Sequence, residues 1–172
     1  MTATALDARR QHQVCRETLA CLQRAECVFD LRHKPIPVLF DLAGRAAGMY
    51  RVKRREAVIR YNPYIFARHF EHGLSTTVPH EVAHYITDRL YGIARVAPHG
   101  REWRTVMQAL GAPAQASCNL DLEGLPLRRQ RRYRYRCACR THELSACRHN
   151  RIGSGRARYF CRACGGELIA LP

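Results

Sequence analysis

At 172 residues, 47% of them apolar and 25% charged, the chain has the composition of a globular protein and the size of one domain, or of one domain plus a small module. A formal charge of +15 excludes a balanced surface and favours polyanionic partners. No run of ~18 apolar residues occurs and the first fifteen residues hold no apolar signal core, so a cytoplasmic protein without a membrane span is expected.

Residues 3 to 29 read as a helix, with Leu6, Val14, Cys15, Leu19, Leu22 and Ala25 as its apolar stripe. Pro35 and Pro37 break the chain, and Val38 to Phe40 suggest a short strand. Gly44 and Gly48 bracket a turn. Two strands follow, 49 to 53 and 57 to 61, with Arg54, Arg55 and Glu56 at their tip. Asn62-Pro63 is a helix start, a capping side chain before a proline at the first helical position, and Gly73 is the expected end of that helix. Ser75, Thr76 and Thr77 offer caps for a second helix that runs to Tyr91, with Pro79 tolerable near its first turn and Gly92 as its stop. A loop through Pro98 leads to a helix over residues 100 to 110. The pattern is α+β: helices packed on a short sheet over residues 1 to 111, a basic linker over 112 to 132, and a cysteine-rich module over 133 to 172.

Within the second helix stands His80-Glu81-Val82-Ala83-His84, the pattern H-E-x-x-H. Residues i and i+4 share a helix face, so two imidazoles one turn apart can reach one zinc ion at ~2.0–2.1 Å. Glu81 borders that face and is the candidate catalytic base for a metal-bound water. A catalytic zinc also needs a third protein ligand. A histidine six residues after His84 would mark the metzincins, but Leu90 is there. His99, beyond Pro98 at the mouth of the next helix, is the first choice; Asp88, one turn past His84, and Glu102 are the alternatives.

The nine cysteines fall into two groups. Cys15, Cys21, Cys27 and Cys118 are scattered and read as small buried side chains. In a reducing compartment the rest suggest metal before disulfides. Cys161-x-x-Cys164-Gly165-Gly166 is a zinc knuckle that needs a partner pair. Cys137 and Cys139 are the simplest pair, because residues i and i+2 of a strand point to one side. His142 or Cys147 in place of Cys139 stays open. One structural zinc here joins one catalytic zinc in the expected inventory.

Residues 125 to 172 hold twelve arginines, no lysine and two acids. Arg128, Arg129, Arg131, Arg132 and Arg134 interleave with Tyr133 and Tyr135, and Arg148 and Arg151 follow. Guanidinium groups contact phosphates and tyrosines can stack on bases, so these residues are the candidate nucleic-acid contacts, with DNA favoured over RNA. The competing reading is a charge-protected edge strand with both tyrosines packed inside.

Together, His80 to His84, then Pro98-His99-Gly100-Arg101-Glu102-Trp103, then the Cys137/Cys139 and Tyr159-x-Cys161-x-x-Cys164-Gly165 segments resemble the SprT family of zinc metalloproteases, whose eukaryotic relatives include Spartan, a protease of DNA-crosslinked proteins. The resemblance extends from about residue 12 to 170. It implies a small zincin-like domain followed by a zinc ribbon, zinc on His80, His84 and His99, Glu81 as base, Trp103 packed behind the third ligand, and protein substrates on DNA. The rival is a nucleic-acid-binding, transcription-associated zinc protein without significant protease activity; the intact Glu81 argues against it, since a structural site needs no base.

Overall fold

The computed structural model describes residues 3–32, 34–54, 56–117, 119–127 and 131–171. The chain divides into two compact units, 1–127 and 128–172. This boundary falls inside the stretch read as linker, and residues 112 to 127 belong to the first unit: Ala112 and Ala114 pack on its core, and the carbonyls of Asp121 and Glu123 hydrogen-bond His69 and Arg68.

The first unit opens with α1 (Ala8–Phe29). It starts later than the apolar pattern suggests because Asp7 caps it, accepting the Arg10 N–H at 2.8 Å, while the Leu6 N–H pairs with the Pro63 carbonyl at 3.0 Å. Its buried face is Val14, Thr18, Cys21, Leu22 and Ala25, a helical spacing that leaves Leu19 exposed and Cys15 half-buried. Of the three scattered cysteines among the described residues, Cys21 alone is buried and Cys27 is exposed; Cys118 lies outside the described residues.

Three strands form one sheet in the order β1 (Val38–Leu39), β3 (Glu56–Tyr61), β2 (Gly48–Lys53). β1 runs parallel to β3 and β2 antiparallel to it, which leaves β2 at an edge. Asn62 then caps α2 (Pro63–Arg68), accepting the N–H groups of Tyr64 and Ile65 at 3.1 and 3.3 Å.

Gly73 does not end the helical run. After α3 (Phe70–His72) the chain continues as a π-helical turn (Gly73–Thr77) directly into α4 (Val78–Tyr91). Gly73 is a packing glycine: a Cβ there would lie 2.6 Å from the Phe66 ring. The three hydroxyl residues are not caps either. Ser75 and Thr76 bond back to the carbonyls of Glu71 and His72 at 2.9 and 2.6 Å, and Thr77 makes no capping bond. The wide turn ends two residues before Pro79, which has no N–H to give the Ser75 carbonyl that a regular helix would pair with it. α4 ends at Gly92 (φ +81), and α5 (Arg101–Ala109) follows the loop. The core joins α1, α4 and α5 to the sheet through Val14, Leu22, Ile59, Tyr61, Val82, Ile86, Trp103 and Val106.

In the second unit, β4 (Arg132–Arg136) lies between β5 (Thr141–Ser145) and β6 (Ile169–Ala170), and α6 (Ala146–Gly153) follows β5. Its core is small: Tyr135, Leu144, Cys161 and Leu168. Among the described residues, no helix is long and apolar enough to cross a membrane.

Candidate metal centre

α4 is buried along Val78, Val82, Tyr85 and Ile86, so its opposite, half-buried face carries His80 and His84. Their Nε2 atoms lie 3.2 Å apart. The loop after α4 brings His99 to the same point, its Nε2 3.1 Å from that of His84 and 3.0 Å from that of His80. His99 has φ +56, a left-handed conformation that a non-glycine residue adopts at a cost of ~1–2 kcal/mol. Trp103 of α5 is buried under all three rings, with centroids 4.8, 5.7 and 4.8 Å from those of His80, His84 and His99, and so packs behind the whole set rather than behind one ligand.

The donor set fits zinc. A tetrahedral ion ~2.0–2.1 Å from each nitrogen requires nitrogen–nitrogen separations of roughly 3.3 Å, close to the triangle present. The rings are also in the right protonation state. Burial lowers His80 and His84 to about 4, with neighbouring imidazoles adding to the effect, and burial lowers His99 as well. All three are neutral near pH 7, as ligands must be. The Gln115 backbone, close to the His80 ring, works against the shift there.

Glu81 points from the same helix into a slot beside the histidines. It is only 5% exposed, and its Oε2 accepts the Tyr50 N–H at 2.6 Å. Burial raises its pKa to about 7, with the Tyr50 bond working against the rise. β2 shapes the slot. A Cβ on Gly48 would lie 2.6 Å from both Cγ and Oε1 of Glu81 and 2.8 Å from the Thr77 methyl, so the strand can run this close only with glycine there. His80 and Glu81 line two hollows. One of about 320 Å³ is bounded by Met49, Ile93, Val96 and Pro98, and one of about 290 Å³ by Arg45, His72 and Gln115.

Neither alternative third ligand joins the histidine cluster. The Asp88 carboxylate is held by the Tyr50 hydroxyl at 2.6 Å and the Ile93 N–H at 2.7 Å. Glu102 lies in the first turn of α5. Gly48, Tyr50 and Gln115 carry no sequence signal for the site: each enters it through a strand or a loop that folding brings alongside.

The second unit gathers Cys137, Cys139, Cys161 and Cys164, their sulfurs within 4.8 Å of one another. Cys139 Sγ lies 3.4 Å from that of Cys137 and 3.6 Å from that of Cys161, near the ~3.8 Å edge of a tetrahedral Zn–S site. His142 stands beside this group, its Nε2 3.2 Å from Cys137 Sγ, and draws that thiol down to about 5. Cys147 is exposed and outside the cluster.

β4 alternates strictly. Arg132, Arg134 and Arg136 are exposed, while Tyr133 and Tyr135 turn inward. Tyr135 is buried with its hydroxyl 3.0 Å from His149 Nδ1, and Tyr133 stacks on the same imidazole at 3.7 Å. The tyrosines therefore build the module instead of offering free faces to bases, and β4 is its central strand, not an edge. Arg131 lies over Tyr133, Arg148 over Tyr159, and Arg151 is exposed on α6. Arg128 and Arg129 lie outside the described residues.

The SprT-like family model matches residues 18–127. The chain is 37% identical to Protein SprT of Pasteurella multocida, with 91% of this chain and 92% of that protein aligned. It is 34% identical to Protein SprT of Klebsiella pneumoniae, over 93% of each, and 38% identical to that of Escherichia coli, over 81% of each. No solved structure matches. The family match and these identities show that the chain belongs to the SprT-like family.

Proposed function

We propose that the chain is a zinc metallopeptidase of zincin type that acts on proteins bound or crosslinked to DNA, where a basic zinc ribbon recruits it. The carrying observation is the triangle of Nε2 atoms at 3.0, 3.1 and 3.2 Å with the Glu81 carboxylate beside it. His80, His84 and His99 would hold the zinc; Cys137, Cys139, Cys161 and Cys164 would hold a second, structural one.

A zinc ion held by His80, His84 and His99 would supply the lowered pKa of a bound water, ~7, and Lewis-acid polarisation of a scissile carbonyl. The rest falls to the chain. Glu81 takes the proton of the attacking water and later delivers it to the leaving amine nitrogen. Burial, which raises this carboxyl group in the metal-free site, makes it a stronger proton acceptor than an exposed glutamate. The Tyr50 N–H occupies Oε2, which directs the proton traffic to Oε1, the oxygen facing Gly48. Among the described residues β2 pairs with β3 alone, and it borders the 320 Å³ hollow with Gly48, Met49 and Tyr50, so an extended substrate backbone can lie beside it at the edge groups other than the Tyr50 N–H, which Glu81 takes. Recruitment rests on the exposed row Arg132, Arg134 and Arg136, which offers three guanidinium groups on one face of a strand.

The test is cleavage of a basic DNA-bound protein by the zinc-loaded chain, with and without single-stranded DNA, in wild type and Glu81→Gln. DNA-stimulated cleavage in the wild type and a loss of at least ~10²-fold in the variant are expected. Tight DNA binding without cleavage by the wild type favours the transcription-associated reading.

A further inference from the structure

We propose that Tyr50 and Asp88 are positioning residues for the metal centre: their hydrogen bond ties the strand behind Glu81 to the loop that delivers His99, and so sets how tightly the three-histidine site holds its ion. The inference rests on the metallopeptidase reading above only insofar as that site binds metal.

Three parts of the site meet at the Asp88 carboxylate. α4 carries Asp88 one turn beyond His84. β2 reaches it through the Tyr50 hydroxyl, which donates to Oδ2 at 2.6 Å. The loop reaches it through the Ile93 N–H, which donates to Oδ1 at 2.7 Å, just after the Gly92 N–H has closed the helix on the Asp88 backbone carbonyl at 2.8 Å. The loop's next backbone bonds, Arg95 to Gly92 at 3.0 Å and Gly100 to Ala97 at 2.9 Å, are internal to it. The Asp88 side chain thus anchors the start of the segment that ends in His99.

That segment needs an anchor. His99 sits at φ +56, where a residue with a Cβ stays only if its surroundings hold it. The two helix histidines are fixed by α4 itself; the third depends on the loop. Tyr50 suits the task because its direction is set from both ends. Its ring meets Tyr85 edge-on at 5.9 Å, and its own N–H binds Glu81. One residue therefore touches the base through its backbone and the ligand loop through its side chain.

Partners behind metal ligands are typically worth ~10–100-fold in metal affinity. The experiment is zinc competition with a chelator on the full-length chain, in wild type, Tyr50→Phe, Asp88→Ala and the double variant. The histidine-site zinc is identified as the fraction lost in His84→Ala. Tyr50→Phe keeps the ring against Tyr85 and the N–H on Glu81, and far-UV circular dichroism confirms the fold of each variant. The expected result is a rise of ~10-fold or more in the histidine-site dissociation constant for each single variant, with the double no weaker than Asp88→Ala, because Tyr50 acts through Asp88. Folded single variants that hold zinc as wild type does, or effects that add in the double, overturn the positioning role. A wild type that takes up no zinc through its histidines overturns the metallopeptidase reading itself.

Discussion

A buried acid that must ionise is a liability to the fold, and Glu81 has that character. Its pKa of about 7 stands above the ordinary 4.5, so between those values the folded chain binds a proton that the unfolded chain has released. Stability is lost as pH rises through this window, and the cost is complete by pH 8, at most about 3 kcal/mol for a shift of this size. Glutamine accepts the Tyr50 N–H without ionising. In the metal-free chain, Glu81→Gln is expected to raise the urea midpoint at pH 8 and leave it unchanged at pH 4. A difference between the two proteins that does not vary with pH would contradict this account. The residue that weakens the empty fold is the one that the proposed chemistry needs. His80, Glu81 and His84 were legible from their spacing on one helix; the burial that tunes Glu81 was not, because it depends on a strand more than thirty residues upstream.

At the scale of elements, the site is a meeting of β2, α4 and the loop after it, and the meeting is close because position 48 has no side chain. A methyl group in Gly48→Ala would meet Glu81 and Thr77 at 2.6 and 2.8 Å, forcing β2 or the carboxylate to move. A displacement near 1 Å at a catalytic group costs ~10²-fold, so Gly48→Ala is expected to lower kcat by about that factor while zinc content stays at the wild-type level. Full activity in the variant would show that the slot does not set the base. Gly48 was read from the sequence as a turn residue, since a strand glycine gives no hint of what approaches it. The start of α4 misled for a related reason. Ser75, Thr76 and Thr77 have the chemistry of caps, but the chain before them is already helical, so the hydroxyls of Ser75 and Thr76 turn back to carbonyls of the preceding turn. Local signals located the elements, and tertiary packing decided how they join.

At the scale of the molecule, the two units differ in what holds them. The first has a core drawn from three helices and a sheet. Among the described residues, the second has four buried ones, including Cys161. A core that small cannot offset the chain entropy of a module of this size without a further constraint, which the cysteine cluster supplies if it holds metal. Chelation of the full-length chain is expected to melt the second unit while the first keeps its helices; amide chemical-shift dispersion lost only from residues 131–171 would register this, and retention of those signals would contradict it. The four cysteines were legible because paired spacing is a strong signal. The fate of Tyr133 and Tyr135 was not, since alternation shows that they share a face but not that the face is turned to His149.

The central claim is that three imidazoles converge on one ion beside a carboxylate, and anomalous scattering at the zinc edge from crystals of the zinc-loaded chain tests it most directly. The account predicts a peak ~2.0–2.1 Å from the Nε2 atoms of His80, His84 and His99 together, with Glu81 alongside. A zinc-loaded crystal with no peak at these three nitrogens, or with His99 turned away from the other two, would contradict it.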